Sequence, residues 1–282
     1  MNYRHAFHAG NFADVVKHAV MALLIERLKA KETPFRIIDT HAGAGVYDLS
    51  GEAASRTGEW QRGIGRLYGG VADDALAGLL APYLGAVRAA NDGGPLRFYP
   101  GSPWIARHLL RRQDRLTAVE LHPDDAAALA ARFAGDRQVR TIALDGWLAL
   151  GSFVPPKERR GLVLVDPPFE ERDELERLVD GFREAHRRWP TGIYLLWYPV
   201  KDLYGIDRFR ARLAASGIRR LLRAELMVRD RSTPDSFNGT GLLIANPPWR
   251  FDDQLGTLLD RLVPVLADGA GATQAIDAIA GE

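Results

Sequence analysis

Leu162-Val163-Leu164-Val165-Asp166-Pro167-Pro168-Phe169 is the stretch whose reading decides the fold. Four apolar residues without alternation mark a strand buried on both faces, as in a parallel sheet covered by helices. Two prolines then forbid both further ladder pairing and a helix. The turn is therefore stiff. It ends the strand in a carboxylate, a proline carbonyl with no N–H beside it, and an aromatic face, three groups that together suit a flat heterocycle carrying an amine. On these residues alone, a strand closed by a structural Pro-Pro turn remains the other reading.

Outward from this stretch the same arrangement recurs. Phe35-Arg36-Ile37-Ile38 runs into Asp39 and a turn holding Gly43 and Gly45; Leu116-Thr117-Ala118-Val119 runs into Glu120; Val139 to Leu144 runs into Asp145-Gly146. Asp39, Glu120, Asp145 and Asp166 thus end four candidate parallel strands and share the edge where open α/β sheets bind ligands. Helix N-capping explains one or two such acids well, but four together with glycine turns less so. The first turn is not the dinucleotide fingerprint, because Asp48 stands where a third glycine is needed.

Glu120 lies 75 residues beyond Gly45, where about 20 is usual for an acid that holds ribose hydroxyls. An insertion between Val46 and Tyr99 accounts for the excess. It carries a helical stretch from Asp73 to Ala90 between breaks at Gly69-Gly70 and Gly93-Gly94. A displaced crossover helix, Trp104 to Arg112, follows, with Ser102 as N-cap and Pro103 at its first position. Upstream, Asn11 caps a helix from Phe12 to Lys31 whose stripe includes Val16, Val20, Leu23, Leu24 and Leu28.

Downstream, a helix from Asp173 to Arg188 leads to a strand from Gly192 to Pro199, and a helix from Ile206 to Ser216 follows. The strands Leu221 to Val228 and Gly241 to Ala245 leave no room for a helix between them, so they form an antiparallel hairpin with a long loop, Arg229 to Thr240. A helix from Phe251 to Leu266 precedes a small-residue tail expected to be disordered. The fold class is α/β, with a mostly parallel seven-stranded sheet and a C-terminal antiparallel hairpin. Residues 1–45 and 100–270 form the main domain, 46–99 an inserted, mainly helical subdomain, and 271–282 a C-terminal tail.

Leu242-Leu243-Ile244-Ala245-Asn246-Pro247-Pro248-Trp249 repeats the pattern of the opening stretch. Direction separates the two: an antiparallel last strand carries Asn246 to the opposite edge, where it ends the strand and enters the last helix.

The 282 residues contain no cysteine, which excludes disulfides, thiolate metal sites and cysteine nucleophiles. A formal net charge of +1 does not announce a nucleic-acid binder. Only five lysines occur, so nearly all positive charge is arginine, which suits phosphate and base stacking but equally reflects a GC-rich genome. No leader-like start or long apolar run is present, and the expected location is cytoplasmic. His5 and His8 have metal-ligand spacing but lack a third ligand in the sequence around them.

The Asp-Pro-Pro-Phe turn resembles the catalytic motif of S-adenosylmethionine-dependent amino-methyltransferases, and the strand-end acids with the terminal hairpin resemble a Rossmann-like class I methyltransferase. In order along the chain, Tyr-Arg-His-x-Phe-His-Ala-Gly-Asn-x-Ala-Asp-Val-x-Lys-His, Asp-Thr-His-Ala-Gly-Ala-Gly, Tyr-Pro-Gly-Ser-Pro, Glu-Leu-His-Pro, Asp-Gly and Asp-Pro-Pro-Phe resemble the ribosomal RNA large-subunit methyltransferase J family. The resemblance implies methylation of N6 of one 23S rRNA adenine, with S-adenosyl-L-methionine as cofactor. DNA adenine-N6 methylation and a catalytically silent RNA-binding domain are the competing readings.

By the same resemblance His18, His41, Gly43, Ser102, Glu120, Asp145, Gly146 and Asp166 line the cofactor site. Asp166, Pro167 and Phe169 carry catalysis, while Tyr3, His5, Lys17 and Phe169 meet the target adenine. Phe169 departs from the Tyr commoner in this motif. The expected partner is 23S rRNA, protein-free or in an early assembly intermediate, acted on by a monomer without metal or membrane. The insertion and the Arg229 to Thr240 loop flank the expected mouth and are the candidate RNA contacts.

Overall fold

A computed structural model describes residues 4–171, 173–201, 203–233 and 237–280, with Leu203 and Tyr204 described in backbone only. In chain order the strands are β1 (Arg36–Asp39), the short β2 (Val46–Asp48) and β3 (Phe98–Pro100), β4 (Arg115–Glu120), β5 (Val139–Ala143), β6 (Gly161–Val165), β7 (Ile193–Val200), β8 (Leu221–Met227), β9 (Gly239–Ala245) and β10 (Thr273–Ala280). The helices are α1 (Phe12–Lys29), α2 (Glu52–Thr57), α3 (Glu59–Arg62), α4 (Gly65–Tyr68), α5 (Asp74–Ala89), α6 (Ser102–Leu109), α7 (Pro123–Arg132), α8 (Gly146–Ser152), α9 (Glu174–Arg188), α10 (Leu203–Ala214) and α11 (Phe251–Leu266).

Eight strands make one sheet in the order β10-β8-β9-β7-β6-β1-β4-β5, and β2 pairs with β3 apart from it. The five strands from β5 to β7 are parallel, while β9 runs antiparallel to both β7 and β8. This is the doubly wound arrangement on either side of β1, ended by the expected hairpin. All five residues of β6 are buried, as its unbroken apolar run requires.

The sheet has eight strands, not seven. Residues 273–280, expected as part of a disordered tail, pair antiparallel with β8 as β10. Every residue of β8 is buried, so without β10 it would be a bare edge. Arg223 of β8 also donates to Asp277 of β10 through Nε at 2.7 Å. Small alternating residues with one complementary charge are sufficient for a strand when a partner edge is waiting.

Helix α1 departs from a simple amphipathic helix. Every residue from Ala13 to Ile25 is buried, including Asp14, Lys17 and His18. One face meets the sheet, while α5 from the insertion and α6 cover the other. Asn11 accepts from the Asp14 N–H at 3.0 Å and caps the helix as expected. The crossover helix starts earlier than expected. Gly101 is its extended N-cap and Ser102 its first residue, so the Ser102 hydroxyl does not cap it. No helix among the described residues is long and apolar enough to cross a membrane.

Candidate active site

Parallel register brings the strand-end acids together. Asp39 lies opposite Ala118 and Leu164, and Glu120 lies opposite Ala143. Asp145 follows β5 by two residues and Asp166 follows β6 directly. One cavity at this edge is lined by Glu120, Asp145, Gly146, Asp166 and Pro167. His18, His41, Gly43 and Ser102 line the same cavity, and so do His5 and Lys17. Asp39 is buried and does not line it. Tyr3 lies outside the described residues.

The backbone sets Glu120 and Asp145, the two acids expected on the cofactor side. Glu120 Oε2 accepts the Gly43 N–H and Oε1 the His122 N–H, both at 2.7 Å. Each oxygen keeps a lone pair for a ligand hydroxyl. Asp145 caps α8, and its Oδ1 takes both the Trp147 and Leu148 N–H groups. The capping explanation for a strand-end acid is therefore correct for this oxygen of Asp145, although the residue also faces the cavity. Glycine is needed at two walls. A side chain at Gly43, where φ is +60°, would strike the Tyr47 hydroxyl, and a Cβ at Gly146 would lie 2.4 Å from the Thr40 carbonyl.

At the other end, charged groups form a chain. His5 Nε2 meets Asp14 Oδ2 at 2.9 Å, Lys17 Nζ meets Asp14 Oδ1 at 2.8 Å, and Lys17 also donates to Asp166 Oδ2. Burial works against the Lys17 ammonium, but Asp14 and Asp166 outweigh it and raise its pKa. Burial likewise opposes the Asp14 carboxylate, yet His5 and Lys17 beside it hold its pKa well below the ordinary value. Asp39, which the Ser102 hydroxyl faces, behaves differently: burial pushes its carboxyl up to about 7, against the Ser102 bond and with the Asp166 charge adding to the rise. Burial lowers the imidazoles of His18 to about 3 and His41 to about 4, so both are neutral near pH 7.

Phe169 is not part of the cavity wall. Its φ is +52°, and its ring meets the edge of Trp197 on β7 with centroids 5.4 Å apart. Trp197 in turn donates Nε1–H to Thr240 at 2.7 Å and carries the Lys17 ammonium 5.6 Å from its ring centroid. His5 and His8 go to different acids, Asp14 and Glu59.

Sequence reasoning missed several groups here. Asp14 is absent from the expected site residues, although Asp14-x-x-Lys17 is an acid–base pair at helical spacing that the sequence displays. Tyr47, Trp147 and Arg177 also line the cavity, with Trp147 edge-on to His41 and under the Arg177 guanidinium. No sequence signal marks these three.

The copy of the motif lies elsewhere. Ala245 pairs with Tyr194 near the start of β7, so Asn246 leaves the sheet at the opposite edge. Its Nδ2 donates to the Pro190 and Gly192 carbonyls, both at 2.8 Å, and Trp249 is 84% exposed.

Residues 32–277 match the family described as ribosomal RNA large subunit methyltransferase D, RlmJ. The ribosomal RNA large subunit methyltransferase J of Escherichia coli (strain K12) is 45% identical over 268 residues, which cover 94% of this chain and 95% of the relative. The protein of the same name from Haemophilus influenzae is 42% identical over 274 residues, 96% of each. Among solved structures, protein LPL1258 of Legionella pneumophila superposes with a TM-score of 0.85 at 30% identity, over 96% of this chain and 98% of the other.

Proposed function

Because the chain belongs to the ribosomal RNA large subunit methyltransferase J family, we propose that it transfers a methyl group from S-adenosyl-L-methionine to the exocyclic N6 amine of one adenine in 23S rRNA. The observation that carries this reading is the convergence of Glu120, Asp145 and Asp166 on one cavity. The acceptors present fit the cofactor, since Glu120 and Asp145 are held by backbone N–H groups and keep further lone pairs for ligand donors. When bound, S-adenosylmethionine supplies a methyl group on a sulfonium, a leaving group that needs no general acid.

Glu120, fixed by two backbone N–H groups, accepts the ribose hydroxyls. Asp145 accepts from the amine of the cofactor adenine, and His41 and Trp147 wall that end. The amine of the target adenine is a poor nucleophile because its lone pair is delocalised into the ring. Asp166 and the Pro167 carbonyl accept its two N–H bonds and favour a pyramidal nitrogen whose lone pair leaves the ring plane. Lys17 holds Asp166 in place through Oδ2, so Oδ1 is the oxygen offered to the amine. Tyr3, His5 and Lys17 serve the side of the target base, with Phe169 outside the cavity wall against Trp197, and orientation of two bound reactants supplies much of the acceleration. The adenine must leave its stack to enter, which favours unpaired segments of RNA.

Calorimetric titration with S-adenosylmethionine, followed by tritiated methyl transfer onto protein-free rRNA, assembled subunits, DNA and peptide, tests the reading. Cofactor binding with label in rRNA is expected. No cofactor binding, or label in DNA or peptide alone, overturns it.

A further inference from the structure

Three fully or nearly fully buried groups form a hydrogen-bonded chain from the insertion to the cavity. Tyr83 of α5 and Tyr99 of β3 are 0% exposed, and His18 of α1 is 1% exposed. Tyr83 and Tyr99 share a hydroxyl–hydroxyl bond of 3.1 Å, and the Tyr99 hydroxyl meets His18 Nδ1 at 2.7 Å. The His18 and Tyr99 rings are stacked, with centroids 5.7 Å apart. Either end could donate, and counting buried donors decides the direction.

If His18 Nδ1 carried the proton, it would donate to Tyr99, Tyr99 to Tyr83, and the Tyr83 O–H would be left buried with nothing to receive it among the described residues. Leaving a buried donor unsatisfied is the costly outcome. In the opposite direction Tyr83 donates to Tyr99, Tyr99 donates to Nδ1, and every O–H is used. A neutral imidazole whose Nδ1 accepts must carry its proton on Nε2. His18 is kept neutral by burial, and it lines the cavity.

We propose that Tyr99, with Tyr83 donating into its hydroxyl from behind, is a positioning residue that locks His18 in the Nε2–H tautomer, so that it presents a hydrogen-bond donor to the carboxylate end of the bound cofactor. The placement follows by elimination and rests on the S-adenosylmethionine reading. Among the proposed cofactor residues with polar side chains that line the cavity, Asp145 takes the adenine with His41 walling that end, Glu120 the ribose and Asp166 the side of methyl transfer, which leaves the wall of His18 and Ser102 for the amino-acid moiety. Ser102 is the first residue of α6, so the positive end of that helix faces the same wall. The insertion thereby has a part in the cofactor site: it supplies the Tyr99 hydroxyl that sets one of the site's donors.

The test compares S-adenosylmethionine with 5′-deoxy-5′-methylthioadenosine, which lacks the amino-acid moiety, by calorimetry on the full chain. Tyr99→Phe should weaken S-adenosylmethionine binding by about tenfold and leave methylthioadenosine binding unchanged. Tyr83→Phe should change neither by more than about twofold, because Tyr99 still donates to Nδ1. Long-range proton–nitrogen NMR of the unsubstituted protein should show His18 protonated at Nε2, which requires no variant to fold. An Nδ1–H tautomer, or equal losses for both ligands in Tyr99→Phe, overturns the proposal. Failure of the unsubstituted protein to bind S-adenosylmethionine instead overturns the proposed cofactor, so the two failures are distinct.

Discussion

Asp166 reaches the cavity tied to Lys17, and Lys17 is shared with Asp14. A buried ammonium between two carboxylates fixes the position of the acid proposed to meet the target amine, without neutralising both its oxygens. Asp166→Asn keeps the shape of the side chain but removes its charge. With the cofactor still held by Glu120 and Asp145, turnover should fall by more than about tenfold, or ~1.4 kcal/mol, while S-adenosylmethionine affinity measured by calorimetry stays close to that of the parent. His18 carries a second prediction. Its folded pKa of about 3 lies below the ordinary 6.5, chiefly from burial, with Lys17 and His5 lowering it further and Asp14 opposing. The unfolded chain therefore binds this proton more readily, and stability falls as pH drops from 6.5 towards 3. The loss from this group is about 2 kcal/mol between pH 7 and pH 5. Asp39 acts in the opposite sense, since its raised carboxyl makes stability fall as pH rises from about 4 to about 7. Urea unfolding of His18→Asn at the two pH values should show the acid-side loss reduced by that amount relative to the parent.

At the scale of elements, strand direction separates two copies of one motif. Asp166 follows a parallel strand and Asn246 an antiparallel one, so the same turn chemistry serves a cavity in one case and a strand end in the other. Asn246→Ala removes two bonds to the Pro190 and Gly192 carbonyls. It should lower the unfolding free energy by about 1–3 kcal/mol and leave the initial rate of methyl transfer unchanged; a rate loss like that of Asp166→Asn would reverse the roles assigned to the two turns. This distinction was legible in the sequence, because strand–acid periodicity and the missing crossover before the last strand need no side-chain geometry. The Asp14, Lys17 and Asp166 chain was only half legible. Helical spacing pairs the first two, but nothing local shows that residue 17 meets residue 166. Tyr47, Trp147 and Arg177 enter the cavity through packing alone, and the Tyr83–Tyr99–His18 chain exists only once the insertion has folded onto α1.

Across the whole molecule, the last described residues complete the sheet. Composition marked 271–282 as a loose tail, and its small residues carry little periodic signal on their own. Pairing with an already buried β8, together with the Arg223 to Asp277 bond, turns them into a strand. A chain ending at Gly271 would bare the β8 edge and leave Arg223, only 6% exposed, short of one acceptor. Its urea midpoint should be lower than that of the full chain, with a smaller m value because less surface remains to be exposed. An unchanged midpoint would mean that β10 contributes nothing to the fold.

On the proposed reading, the edge where the strand-end acids meet transfers a methyl group to an adenine N6. Protein-free 23S rRNA incubated with the protein and S-adenosylmethionine, then digested to nucleosides and analysed by mass spectrometry, tests it most directly. N6-methyladenosine is expected with the unsubstituted protein, and a loss of more than about tenfold in its rate of formation with Asp166→Asn. Methyl groups on any other nucleoside, or equal N6-methyladenosine from both proteins, would contradict it.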